Sequence, residues 1–220
     1  MPFRITTPAA MEVLPTPDYK LPIGGTPLFW AGKRVFDIVF AILVVPLITI
    51  LGIGLLILNP IYNRGPLFYL QKRMGRDNSA FTAIKFRTML PVNQERTQAD
   101  APLEVDRITP IGRWLRKTRF DELPQVLNIL AGHMSLLGPR PEVYVHALEW
   151  LEKIPNYAER HRVRPGMSGL AQVRQGYVLG QEAITEKLDY DLAYLHDAGL
   201  RQELQLLKET FTTVASGDGH

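Results

Sequence analysis

From Ile38 to Leu58 the chain reads IVFAILVVPLITILGIGLLIL, with Thr49 as its only polar side chain. A straight helix of that length roughly matches the thickness of a bilayer core. A fully buried helix in a water-soluble core is the plainer alternative, but so long an unbroken run favours the membrane. Pro46 sits in the middle, where it removes a helical hydrogen bond and predicts a kink or break. Lys33 and Arg34 precede the run, and Arg64, Lys72, Arg73 and Arg76 follow it, so both ends carry the charge expected of a cytoplasmic side. A helix–break–helix hairpin that enters and leaves by one face satisfies both observations. A single proline-kinked span satisfies the apolar run alone.

Beyond Asn59-Pro60 the pattern changes to that of a water-soluble domain. Leu67–Tyr69 and Phe81–Phe86 alternate around the turn-forming Gly75-Arg76-Asp77-Asn78, which predicts an antiparallel hairpin. Residues 90–108 are polar without a period and read as a loop. Gly112 to Leu130 reads as helical, with a local start or bend at Pro124. Gly138-Pro139-Arg140-Pro141 is rigid, non-helical backbone. Val143, Ala147, Leu148, Leu151 and Ile154 then mark one face of a helix. Pro165, Gly166 and Gly169 mark a further turn region, and two helices follow near 183–195 and 200–213. Residues 1–27, rich in Pro, Thr and Gly, read as a poorly ordered leader without the features of a signal peptide. The expected division is a leader over 1–31, a membrane hairpin over 32–62, a cytoplasmic domain over 63–214 with interfacial helices, and a short tail over 215–220. The fold class is α+β: a monotopic membrane protein with a small, mainly helical domain containing a short β-hairpin.

Composition narrows the chemistry. The 220 residues include no cysteine, which excludes disulfides, thiolate metal sites and a cysteine nucleophile. The formal charge is only +3, but the basic residues crowd at Lys72–Arg76, Arg113–Arg119 and Arg160–Arg164, which suits phosphate-bearing partners. No recognition-helix, zinc-finger or aromatic RNA-binding signature accompanies them, so nucleic acid is not an expected partner.

Asp121-Glu122 lies between Arg113, Arg116, Lys117 and Arg119 and the apolar positions Leu123, Val126, Leu127 and Leu130. Adjacent carboxylates do not share one helix face, so an acid–base pair across a substrate is not implied. One could attack or hold an atom while its neighbour binds a divalent cation; Mg²⁺ takes such hard oxygens together with substrate phosphates. A solvated, salt-bridged helix start is the alternative reading of the same residues. Lys85 and Arg87 alternate in a predicted strand and would share a face, as an anion-binding edge or an ordinary exposed one. Arg140 is held between two prolines, and Arg164 precedes Pro165-Gly166; both are candidates for phosphate or headgroup contact. His133, His146, His161 and His196 have no metal-ligand spacing.

Taken in order, KRVFD, KRMGRDNSAFTAIKFRTM, ITPIGRWLRKTRFDELPQVLNILAGHMSLLGPRPE, RHRVRPGMSGLAQV and KLDYDLAYL closely resemble the bacterial sugar transferase family, the monotopic polyprenyl-phosphate phosphoglycosyl transferases. The likeness covers about residues 32–214. It implies a re-entrant hairpin broken at Pro46, although the family's Ser-Pro is Val45-Pro46 here. It implies Asp121 as nucleophile and Glu122 as a Mg²⁺ ligand, with Asp121 also at the metal. Arg116, Lys85, Arg87 and Arg140 would surround the phosphates, Arg164 would position substrate, and Asp189 and Tyr190 would form the nucleotide end. The implied reaction moves a sugar 1-phosphate from a UDP-sugar to polyprenyl (undecaprenyl) phosphate at the inner membrane, an early step of exopolysaccharide or glycoconjugate synthesis. Membrane lipid and a second copy of the chain are further candidate partners. RQGYVLG, at 174–180, lacks the Asn-Gly-Arg of some relatives, so their sugar preference does not carry over. A membrane-anchored protein that binds anionic lipid without catalysis is the contrasting expectation.

Overall fold

The computed structural model describes residues 18–90, 105–175 and 181–216. Its longest element is helix α1, Pro27–Tyr62. Thr26 caps the start by accepting a hydrogen bond from the Phe29 amide, and Pro27 occupies the first turn, where a missing N–H costs nothing. The helix therefore begins five residues before the expected boundary at 32.

Helix α1 also runs on through Pro46, so the expected break is absent from its secondary structure. A proline removes one hydrogen bond and crowds one carbonyl. Phe40, Val44, Ile48 and Leu51 pack into the same core on both sides of it and keep the helix in register. Thr49 returns its hydroxyl to the Val45 carbonyl at 3.0 Å, so the one polar side chain of the apolar run is satisfied within the helix.

The spacing of Asp37, Ala41, Ile48, Leu55 and Asn59 places them on one buried stripe of α1. Both ends of that stripe are tied to the rest of the chain. Asp37 accepts hydrogen bonds from the Ser135 hydroxyl at 2.8 Å and the Leu136 amide at 3.0 Å. Near the other end the Asn63 side chain donates to the Arg87 carbonyl at 2.8 Å. The opposite face, including Val35, Ile42, Leu43, Ile50 and Ile57, is exposed.

The expected hairpin is present: β1 (Phe68–Met74) pairs antiparallel with β2 (Ala80–Phe86). The turn between them uses positive φ at Asp77 and Asn78, residue types that tolerate the left-handed region. The helical stretch expected from Gly112 to Leu130 divides into α2 (Pro110–Lys117), a single 3-10 turn at Phe120–Glu122, and α3 (Gln125–Leu130). Next come β3 (Ser135–Leu137), α4 (Tyr144–Lys153), β4 (Gly166–Ser168), α5 (Leu170–Arg174), α6 (Gln181–His196) and α7 (Leu200–Ser216). Strands β3 and β4 form a short parallel pair. They approach so closely that a side chain on Gly166 would lie 2.2 Å from the Gly138 nitrogen, which requires glycine there.

One core gathers α1, β2, α3, β3 and the C-terminal helices around Phe86, Leu115, Ile129, Leu137 and Leu206. A second joins Met74 of β1 to Tyr144 and Trp150 of α4 and Leu188 of α6. The domain is thus mainly helical with a short hairpin and one apolar helix near the N-terminus. Residues 18–26 lie against it: the Tyr19 hydroxyl donates to Asp77 at 3.0 Å, and the Gly24 amide donates to the Leu195 carbonyl at 2.9 Å. Most of the expected loop, 91–104, and residues 176–180 of the RQGYVLG segment fall outside the described residues.

Candidate active site

The site begins with how the chain turns after α2. Thr109 caps α2 by accepting from the Gly112 amide, and Pro110 fills its first position. After Thr118 the backbone reverses at Arg119, whose φ of 59° is left-handed. The 3-10 turn then carries Asp121 and Glu122, and Pro124 starts α3. Helix α3 is anchored by Val126 and Ile129 in the core. Its Asn128 side chain accepts from the Ile84 amide at 3.1 Å and donates to the Thr82 carbonyl at 2.7 Å. Asn128 therefore covers the edge of β2 that β1 leaves open, and this places the dyad beside Lys85 of β2.

Lys85 donates to Glu122 Oε1 at 2.6 Å. Arg140 reaches the same carboxylate with both terminal nitrogens, Nη1 to Oε2 at 3.0 Å and Nη2 to Oε1 at 2.5 Å. Arg140 comes from the loop between β3 and α4, and its Nη1 also donates to the Met167 carbonyl at 3.1 Å. Both oxygens of Glu122 are thus occupied by cations. Burial works against its charge, but Arg140 and Lys85 hold its carboxyl well below the usual range.

Asp121 is different. It is 9% exposed, and among the described residues its carboxylate makes no hydrogen bond or ion pair. Burial, reinforced by the neighbouring Glu122 charge, pushes it up to about 6 against the pull of Lys85, Arg116 and Arg119. Arg116 is kept beside it by a hydrogen bond from Nε to the Thr88 hydroxyl at 2.9 Å. Burial also brings the Lys85 ammonium down to about 8 despite Glu122.

The structure thus brings together Lys85, Arg116, Asp121, Glu122 and Arg140. Arg87 goes elsewhere. It lies one residue beyond β2, and its guanidinium donates to the carbonyls of Pro66 at 2.6 Å, Met89 at 3.3 Å and Asn63. Strand alternation implied one face for Lys85 and Arg87; the strand ends at Phe86, so that implication stops one residue short. Arg164 donates to the Gly132 carbonyl at 2.8 Å rather than to the dyad. Asp189 is exposed on α6 and Tyr190 packs against the larger core.

Sequence reasoning counted Arg160 in a basic cluster suited to phosphate and passed over Asp191; the two form a buried ion pair at 2.7 Å with each side chain 1% exposed. Helix spacing offered a signal. Ile184, Leu188, Asp191 and Leu195 recur every three or four residues and are all buried, so Asp191 is an acid on an apolar face.

Among the described residues no group of three or more His, Cys, Asp or Glu side chains could hold a metal ion. Mg²⁺ needs less than that, because it completes its shell with water and substrate phosphate. The unpartnered oxygens of Asp121 fit such an ion. Glu122 fits only by giving up a contact to Lys85 or Arg140.

The family described as bacterial sugar transferase matches residues 28–217. A UDP-N-acetylgalactosamine-undecaprenyl-phosphate N-acetylgalactosaminephosphotransferase of Aeromonas hydrophila is 37% identical over 88% of this chain and 46% of its own length. A UDP-glucose:undecaprenyl-phosphate glucose-1-phosphate transferase of Caulobacter vibrioides is 35% identical over 84% of this chain and 70% of its own. An exopolysaccharide production protein of Rhizobium leguminosarum is 33% identical over 84% of this chain and 94% of its own. The chain thus spans less than half of the first relative and most of the other two.

Proposed function

Since the chain belongs to the bacterial sugar transferase family, we propose that it transfers a sugar 1-phosphate from a UDP-sugar to polyprenyl phosphate through an aspartyl phosphosugar. The observation that carries this reading is the contrast within the dyad. Glu122 is clamped by Lys85 and Arg140, while its neighbour Asp121, without a partner among the described residues, is a partly desolvated carboxylate. An attacking group needs free lone pairs, and a desolvated carboxylate has fewer interactions to lose as it attacks.

An Asp121 carboxylate oxygen bonds to the sugar-bearing phosphorus, and the bond from that phosphorus to the bridging oxygen breaks. UMP leaves with the electron pair. An oxygen of the polyprenyl phosphate then attacks the same phosphorus, the bond to Asp121 breaks, and the carboxylate is restored with a polyprenyl diphosphate sugar as product. The bond between sugar and oxygen stays intact, so the anomeric configuration is retained. Lys85, Arg116 and Arg140 supply positive charge where anion meets anion. Asp121, and Glu122 on giving up a contact to Lys85 or Arg140, are the residues that would hold Mg²⁺, which would supply further positive charge at the phosphates.

The apolar helix and the family both agree with a monotopic inner-membrane protein whose remaining domain is cytoplasmic. Because Asp37 and Asn63 tie both ends of α1 to the domain, both ends lie on its side of the membrane in this reading. That is the arrangement of a re-entrant or in-plane helix rather than of a span with one free end. A lipid acceptor and a soluble donor then meet at one surface. We read the reaction as the first membrane step of exopolysaccharide or glycoconjugate synthesis, a reading supported by the relative named as an exopolysaccharide production protein.

The test is UMP release by nanodisc-held protein with polyprenyl phosphate, Mg²⁺ and a panel of UDP-sugars, together with mass spectrometry for a phosphosugar on Asp121. Lipid-dependent release with one donor and a labelled Asp121 is expected. A folded, metal-supplied protein that binds anionic vesicles but releases no UMP across the panel would leave the non-catalytic lipid-binding reading in its place.

A further inference from the structure

Arg140 reaches Glu122 from a segment held on its near side by β4, where the Gly166 amide donates to the Pro139 carbonyl at 3.0 Å and the Gly138 amide to the Ser168 carbonyl at 2.9 Å. Pro139 and Pro141 flank it, and neither has an N–H to donate. The placement of this backbone therefore rests on what its carbonyls accept. The Arg160 guanidinium donates through Nη2 to the Arg140 carbonyl at 2.7 Å. Arg73 donates to the next carbonyl, that of Pro141, and the Met74 amide donates to the Glu142 carbonyl at 3.0 Å. The Glu142 side chain is paired with Lys187 of α6.

Arg160 also donates through Nη1 to the Tyr157 hydroxyl at 2.8 Å, and its Nη2 lies 2.7 Å from an Asp191 carboxylate oxygen of α6, an ion contact that lacks hydrogen-bond geometry. Such a pair is a poor device for stability alone, because taking both charges out of water offsets much of their attraction. Burial pushes the Asp191 carboxyl up even with Arg160 beside it, and neither of its oxygens makes a hydrogen bond among the described residues. What the pair does accomplish is geometric: it aims a planar guanidinium at one backbone carbonyl.

We propose that Arg160 and Asp191 are positioning residues for the transfer reaction, holding the Arg140 backbone so that its guanidinium stays on Glu122 beside Asp121. The proposal rests on the dyad being the catalytic centre, as argued above. It assigns the acidic role in the Asp-Tyr-Asp stretch of α6 to Asp191, acting through Arg160, rather than to the exposed Asp189.

The decisive comparison uses full-length protein in nanodiscs and two variants. Arg160→Met combined with Asp191→Leu replaces the ion pair with apolar side chains of similar size, a change that buried pairs often tolerate. It is expected to unfold at nearly the wild-type temperature and to lose roughly a hundredfold in kcat, the scale set by a displacement of about 1 Å at a reacting group. The KM for polyprenyl phosphate is expected to stay within about threefold, since the lipid does not depend on this carbonyl. Arg160→Lys keeps a charge beside Asp191 but loses the planar fork, so an intermediate loss of about tenfold is expected. If the double variant fails to fold, the lysine variant decides alone. Wild-type kcat in a folded form of either would overturn the proposal, as would a kcat loss that only tracks the unfolded fraction. Asp121→Asn is run in parallel: undiminished turnover there would instead remove the dyad reading on which the proposal stands.

Discussion

Arg140 stands between two buried charge clusters that differ in one respect. Behind it, Asp191 faces Arg160 and Glu142 faces Lys187, and every carboxylate has a cation in contact. In front of it, Lys85 and Arg140 both spend their charge on Glu122, and Asp121 makes no such contact. The first arrangement holds backbone in place. The second leaves one carboxylate with lone pairs free, and an anion near buried cations but bonded to none of them has the properties of a nucleophile. Proximity to charge is common to both clusters; what separates them among the described residues is that the Asp121 side has an incomplete set of partners, the feature on which the proposed reactivity rests.

The contrast fails most plainly if Asp121 is dispensable. Asp121→Asn is expected to cut turnover by about a thousandfold or more and abolish the covalent phosphosugar while leaving the fold intact; intact-mass and UMP-release assays read both. Glu122→Gln attacks the paired half of the same site. It leaves Lys85 and Arg140 buried without their carboxylate, so a stability loss of about 3–5 kcal/mol in chemical denaturation is expected, along with a large fall in kcat.

A pH series separates the clusters without mutation. Burial pushes the Asp121 carboxyl up to about 6, and in the proposed reaction its ionised form attacks, so kcat/KM is expected to fall about tenfold per unit below that pH. Its raised value means that ionisation opposes folding, so protonation there does not destabilise the protein. Glu142 behaves oppositely. Burial opposes its charge, but Lys187 and Arg160 bring its carboxyl down to about 2. Its contribution to stability is present above the ordinary carboxylate range and is lost as pH falls through about 2. Activity should therefore disappear while circular dichroism still reports a folded protein; simultaneous loss of both would break the distinction.

The smallest effect is expected at Asp37, where Asp37→Asn weakens the hold of α1 on β3. A loss of about 1–2 kcal/mol with kcat nearly unchanged is expected, measured by thermal unfolding beside the UMP assay.

Much of the architecture was legible from local pattern. The apolar run from Ile38, the alternation around Gly75–Asn78 and the helical face of Val143–Ile154 each rest on rules that operate within a few residues, and each element is present. The continuity of α1 through Pro46 was not legible, because whether a helix breaks at proline depends on what packs on either side of it. The candidate dyad could be located, since two adjacent acids between basic and apolar stretches are visible in one dimension. Their division could not, since it depends on Lys85 and Arg140, distant in sequence and brought together by β2 and the β3–α4 loop. Lys85 and Arg87 make the same point: two residues apart in one pattern, one reaches Glu122 and the other three backbone carbonyls.

The sequence by itself determined the kind of protein: an apolar helix, a mainly helical domain, no thiol chemistry, and an ordered set of motifs that identify the family. Only the tertiary structure decided which cation serves which anion, that Asp191 pairs with Arg160, and that Asp121 has no partner among the described residues. Local pattern reports which groups a segment carries and which way it turns. Ion pairing and desolvation depend on distances of a few ångströms between segments far apart in the chain, and packing sets those distances.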